Sequence, residues 1–221
     1  MISDFISLVF PRTCINCNIS LISKEEIICT SCKLDLPVTN DHLHPQNDLF
    51  QKFAFEPKVK SASSFIYFYQ RGITQKLLHH LKYQKKKEIG FLLGTWFAHN
   101  LNHLAIDLIL PVPLHSQKQR KRGYNQSEFF ARGIAEILAL EVLEDGVTRA
   151  TSTTTQTKKS KLKRWADMEN VYSKASDEVR NKRLLVVDDV ITTGATIGML
   201  CNRLVEAQAK EIHIAAIARS K

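Results

Sequence analysis

Asp188 and Asp189 directly follow the uninterrupted apolar run Leu184 to Val187, and beyond Val190-Ile191 comes Thr192-Thr193-Gly194-Ala195-Thr196. A four-residue aliphatic run reads as a strand buried on both faces of a parallel sheet. Open α/β sheets bind their ligands at the carboxyl ends of such strands. Two adjacent carboxylates placed there can accept hydrogen bonds from vicinal hydroxyls, as on a ribose. They are also hard oxygen donors of the kind magnesium prefers. The threonines, Gly194 and Ala195 are small enough for backbone N–H groups to turn onto a phosphate, with the threonine hydroxyls as further donors. The helix expected to begin at Ala195 adds its positive end. Residues 183–196 therefore read as a strand, loop and helix start that bind a phosphorylated ribose. Receiver-type domains also place acidic residues at strand ends, but near the N-terminus. Here a single strand remains after Asp189.

A second chemistry lies at the other end of the chain. Cys14-x2-Cys17 and Cys29-x2-Cys32 form two pairs separated by eleven residues. In a reducing compartment four thiolates so spaced make a closed, tetrahedral and therefore structural zinc site. The N-terminus has no basic residue ahead of its short apolar stretch, so it does not read as a secretion signal, and a cytoplasmic location is expected. No apolar run approaches the length needed to cross a bilayer, so no membrane insertion is expected. The fifth cysteine, Cys201, reads as a core residue.

The formal charge of +9 gathers in three runs: Lys82 to Lys87, Lys118 to Arg122, and Lys158 to Arg164. Such runs suit a polyanion, either a pyrophosphate-bearing substrate or a nucleic acid, and are equally compatible with a solvated basic surface.

These groups need a scaffold to hold them. Residues 1–55 carry four of the five cysteines and little periodicity, and are expected to form a four-cysteine zinc-binding module. Residues 56–221 alternate strand-like and helical patterns, which implies an α/β domain: a mainly parallel sheet with helices on both faces. Strands are expected at 61–69, 107–110, 183–187 and 211–218. Helices are expected at 73–83, with Leu77, Leu78 and Leu81 on one face, and at 88–104, 125–140 and 195–207. Pro111-Val112-Pro113 stops the second strand and makes a rigid loop. Residues 150–164 are polar and lysine-rich and read as a mobile loop.

The stretch from Leu184 to Thr196 resembles the phosphoribosyl-pyrophosphate motif of type I phosphoribosyltransferases. By that resemblance Asp188 and Asp189 hold the ribose hydroxyls, and Thr192, Thr193, Gly194, Ala195 and Thr196 hold the 5′-phosphate, with magnesium bound alongside the substrate. Val112, Pro113 and Leu114 resemble the short loop that contacts pyrophosphate in that fold, with Lys82, Arg120 and Arg122 as cations for the same group. Residues 150–164 then correspond to a lid. The chain resembles, more narrowly, the ComF competence-protein family. The matching stretches are Leu81-Lys82-Tyr83, Pro111 to His115, Arg122-Gly123-Tyr124-Asn125-Gln126-Ser127, Gln156-Thr157, Arg164-Trp165 and the loop at 184–196, together with the four cysteines. Lys118 stands where that family usually has arginine, Asp167 where it has asparagine, and Tyr172 where it has phenylalanine.

The resemblance implies a role in natural transformation, with single-stranded DNA and the DNA-uptake machinery as candidate partners. Three functions fit: a magnesium-dependent pentosyl transfer to an unidentified acceptor, a single-stranded DNA-binding accessory factor, or a sensor that binds phosphoribosyl pyrophosphate without turning it over.

Overall fold

The computed structural model describes residues 11–22, 24–149 and 171–221. Five strands make one sheet: β1 (Val59–Tyr67), β2 (Leu108–Pro111), β3 (Glu141–Val142), β4 (Arg183–Ile191) and β5 (Glu211–Arg219). Their order is β1-β5-β4-β2-β3, and all pairings are parallel. Leu184, Leu185, Val186 and Val187 of β4 are completely buried, as an apolar run flanked by strands and covered on both faces must be.

The helices are α1 (Thr30–Leu34), α2 (Asp48–Gln51), α3 (Ile73–Tyr83), α4 (Glu88–Ala98), α5 (Ser116–Arg122), α6 (Gln126–Leu138) and α7 (Ala195–Glu206). One face of the sheet, through Leu185, Val187, Ala215 and Ile217, packs on α3, α4 and α6. The other, through Leu184, Val186, Ile212 and Ile214, packs on α7 and on Leu49 and Phe53. The expected leucines of α3 are all buried. Helices α4 and α6 touch backbone to backbone: a Cβ on Gly94 would lie 2.4 Å from the Phe130 carbonyl oxygen, and one on Gly133 would lie 2.1 Å from that of Phe91. Only glycine permits that approach.

Several boundaries differ from the sequence reading. Helix α4 stops at Ala98 instead of 104. Asn100 and Leu101 take three-residue turns onto Phe97 and Ala98. Strand β1 lies two residues earlier than expected, and the short edge strand β3 was not anticipated.

The largest difference concerns β4. It runs on to Ile191, so Asp188 and Asp189 lie within the strand and not beyond it. The cause is unequal neighbours. β2 ends with Pro111 opposite Val187, while β5 continues to pair with β4 through Arg219 opposite Ile191. The two carboxylates are past the end of β2 while still held beside β5.

The cysteine segment packs against the α3/α4 side of the core, with Lys33 over the Trp96 ring at 4.1 Å and Lys76 Nζ donating to the Asn16 carbonyl at 2.7 Å. Residues 38–53 then run back along β1. Asp41, 3% exposed, accepts from both Arg219 Nε and Nη2 at 2.9 Å, and from the Ser64 amide and hydroxyl at 3.1 Å. The expected loop at 150–164, Gln156-Thr157, Arg164-Trp165 and the third basic run lie outside the described residues, as does the N-terminal stretch before Pro11.

Candidate functional site

The carboxyl ends of β4 and β2 and the starts of α6 and α7 converge. Beyond β4, Thr192 to Gly194 make the turn into α7, and a cleft opens there, lined by Asp188 and residues 190–197. Gly194 has φ +82°, and a Cβ on it would come within 2.9 Å of the Phe53 ring. Both the left-handed backbone and the close ring demand glycine. Thr193 Oγ1 accepts from the Ala195 amide at 3.4 Å, and the Thr192 and Thr193 side chains face solvent. All five residues expected to cradle a phosphate therefore line one cleft with Asp188.

The two carboxylates have different partners. Asp188 Oδ1 accepts from Ser127 Oγ at 3.0 Å and from the Asp189 amide at 2.8 Å. Burial, and then the neighbouring Asp189, push its carboxyl up to about 7, against stabilisation of its charge by the two hydrogen bonds and Lys82. Asp189 is paired instead with Lys82 Nζ at 3.0 Å. Lys82, expected on the pyrophosphate side, is thus placed against the second carboxylate.

The Pro-Val-Pro loop is fastened through its middle residue, Val112. The Val112 amide donates to the Val187 carbonyl at 2.8 Å, and its carbonyl accepts from Asn125 Nδ2 at 3.0 Å. Pro111 and Pro113 have no N–H, so the donor left in residues 111–114 is the Leu114 amide. Pro113 and Leu114 line a second cavity, together with Asn125, Glu128, Glu144 and Arg149. Burial first, then Glu144, raise the Glu128 carboxyl above its ordinary range against the pull of Arg132.

The Arg122–Ser127 stretch explains itself locally. Gly123 ends α5 in the left-handed region at φ +85°. Asn125 caps α6, its Oδ1 accepting from the Ser127 amide at 3.2 Å. Arg122 Nη1 donates to Gln126 Oε1 at 2.6 Å and its guanidinium lies 5.6 Å from the centre of the Tyr83 ring. That contact brings the first two basic runs together. Arg120 is exposed on α5.

Four sulfur atoms, from Cys14, Cys17, Cys29 and Cys32, lie within 4.8 Å of one another, with Cys17 Sγ and Cys29 Sγ 3.6 Å apart. Sulfurs bound tetrahedrally at the zinc–thiolate distance would be about 3.8 Å apart. Amide donors point at two of them, from Asn16 Nδ2 to Cys32 Sγ at 3.2 Å and from the Cys32 backbone to Cys29 Sγ at 3.5 Å. The cluster could hold a metal ion, and it is the one such group among the described residues. Cys201 is buried in the core, as expected.

Three contacts escaped the sequence reading: Ser127 on Asp188, Lys52 Nζ on the Thr192 carbonyl, and Phe53 beneath Gly194. Ser127 had a signal, since it follows a capping asparagine and so lies in a helix's first turn. Lys52 and Phe53 had none.

Residues 102–221 match the phosphoribosyl transferase domain family. Across 203 residues the chain is 26% identical to a DNA utilization protein, YhgH, of Shigella flexneri, covering 89% of this chain and 86% of that one. It is 34% identical over 116 residues to Competence protein F of Haemophilus influenzae, covering 52% of this chain and 51% of the relative. With Competence protein ComFC of Bacillus subtilis it shares 20% identity over 202 residues, or 84% of this chain and 81% of that one. Among solved structures it is similar to the glutamine phosphoribosylpyrophosphate amidotransferase of B. subtilis, with 22% identity and a TM-score of 0.47 over 63% of this chain; the match spans 30% of that larger chain.

Proposed function

Because the chain belongs to the phosphoribosyl transferase domain family and, within it, to the ComF competence proteins, we propose that the cleft at the end of β4 binds phosphoribosyl pyrophosphate with magnesium and transfers its ribose 5-phosphate. The observation that carries this reading is the convergence of Asp188 and the backbone turn from Thr192 to Thr196 on one cleft, with Asp189 next to Asp188 in the strand. Thr192 to Thr196 would hold the 5′-phosphate, and Asp188 and Asp189 the ribose hydroxyls. The Leu114 amide and Arg122 would face the pyrophosphate.

In such a transfer the C1–oxygen bond breaks, its electron pair leaves on pyrophosphate, and the acceptor's lone pair bonds to C1. The chain's contribution is to position the sugar and to place cations and amides on the leaving group. Magnesium would supply charge neutralisation on the pyrophosphate. The free oxygens of Asp188 and Asp189 are donors of the class it takes.

The four cysteines would hold a structural zinc, folding a segment too small for a core of its own, while Leu49 and Phe53 belong to the core of the transferase-like domain. A role in DNA uptake is supported by the names of the relatives. A nucleic-acid surface is favoured by one contact, Arg122 over Tyr83, which joins two basic runs.

The test is ligand-induced stabilisation. A hundredfold excess over Kd should add about 2.7 kcal/mol to unfolding, with magnesium required and with no effect on Asp188→Ala/Asp189→Ala. A wild type that melts unchanged would refute the assignment.

A further inference from the structure

The cleft at the end of β4 has a charge problem. A phosphate monoester carries roughly two negative charges, yet the cleft residues, Asp188 and 190–197, include a carboxylate and no cation. The start of α7 offers only about half a positive charge. Lys82 is committed to Asp189 at 3.0 Å.

A cation does reach the loop from elsewhere in the chain. Lys52 immediately follows α2, and its ammonium donates to the carbonyl of Thr192, the first residue of the turn. Its own Cβ lies 3.7 Å from where a Cβ on Gly194 would stand.

The backbone that carries Lys52 is fixed. Asn47 caps α2 by accepting from the Phe50 amide at 2.9 Å. Its Nδ2 donates to the carbonyls of Asp41, His44 and Ala62 at 3.1, 2.9 and 2.9 Å, the last of these in β1. Leu49 and Phe53, 0% and 1% exposed, anchor either side. Only the lysine tail is free to swing. A neutral carbonyl is a weaker partner for an ammonium than a phosphate oxygen is.

We propose that Lys52 is a substrate-binding residue, the cation of the 5′-phosphate subsite, which leaves the Thr192 carbonyl for a phosphate oxygen when ligand enters. The N-terminal segment then completes the site, through Lys52 from above and Phe53 from beneath Gly194. This rests on reading the cleft as a phosphoribosyl site.

Two probes separate that reading from the role of Lys52. Ribose 5-phosphate reports the phosphate turn, and magnesium pyrophosphate reports the Pro-Val-Pro side. Both are titrated into the full-length wild type, Lys52→Ala and Lys52→Arg, with melting temperatures measured alongside. The expected result is an about tenfold or greater loss of ribose 5-phosphate affinity in Lys52→Ala, unchanged pyrophosphate affinity, and near-wild-type binding of both by Lys52→Arg. Unchanged ribose 5-phosphate affinity in Lys52→Ala would overturn the assignment of Lys52 alone. Equal loss of both probes, with a lowered melting temperature, would also overturn it by showing a structural role. A wild type that binds neither probe would remove the phosphoribosyl reading and Lys52's role together.

Discussion

Ser127 Oγ donates to Asp188 Oδ1 at 3.0 Å, tying the first turn of α6 to the end of β4. The hydrogen bond orients the more buried of two adjacent carboxylates, and it acts on a group whose protonation is finely balanced. Burial and Asp189 raise the Asp188 carboxyl to about 7, while Ser127, the Asp189 amide and Lys82 favour its charged form.

The raised value has a signed consequence for stability. The folded chain holds the Asp188 proton more tightly than an unfolded chain does, at the ordinary value of 3.8. The stability this supplies is fully present below about pH 3.8 and is lost as pH rises toward about 7. Asp188→Asn removes the titration. In ligand-free protein its melting temperature should gain on the wild type across that window. A gap between the two that stays constant with pH would show that Asp188 titrates normally.

Gly194 meets two constraints, a φ of +82° and the Phe53 ring 2.9 Å from any added Cβ. Gly194→Ala should cost about 1–2 kcal/mol from the backbone alone and displace Phe53 as well. Urea unfolding should therefore show a loss larger than that of a surface glycine substitution, and trimming Phe53 to leucine should recover only part of it. Full recovery would mean that the backbone there is unstrained.

The Asp41–Arg219 pair is buried at both ends, the side chains being 2% and 5% exposed. Asp41→Ala strands a buried guanidinium and should destabilise by about 3–5 kcal/mol. Replacing both partners with leucine should cost less than the single change. If the single and double variants unfold at the same denaturant concentration, the pair is not the tie between the N-terminal segment and β5.

At the cysteine cluster, purified protein should contain one zinc per chain by elemental analysis. Cys17→Ser, at the exposed position, should lower both zinc occupancy and melting temperature. Chelation of the wild type should do the same. Metal-free protein that melts like the loaded form would contradict a structural metal.

What was legible in the sequence is what is local. Residues 183–196 contain strand, acid pair, turn and helix start without interruption, so each part constrains the next. The cysteine pairs are likewise a short-range pattern. The partners of the acid pair and the phosphate turn are not. Ser127 and Asp188 are 61 residues apart, and Lys52 and Thr192 are 140 apart. Packing alone brings them together. The extension of β4 to Ile191 was illegible for a related reason: it depends on the length of β5, which carries no signal within β4. Helix α4 was overextended because Leu101, which fits the helical period, is buried from a turn.

Asp188, Asp189 and the turn at 192–196 form the proposed phosphoribosyl pyrophosphate site. Calorimetric titration of wild type and of Asp188→Ala/Asp189→Ala, with and without magnesium, measures that binding. The expected result is saturable one-to-one binding by the wild type that requires magnesium and disappears in the double variant. Absence of binding by folded, zinc-loaded wild type, or equal binding by the variant, would contradict it.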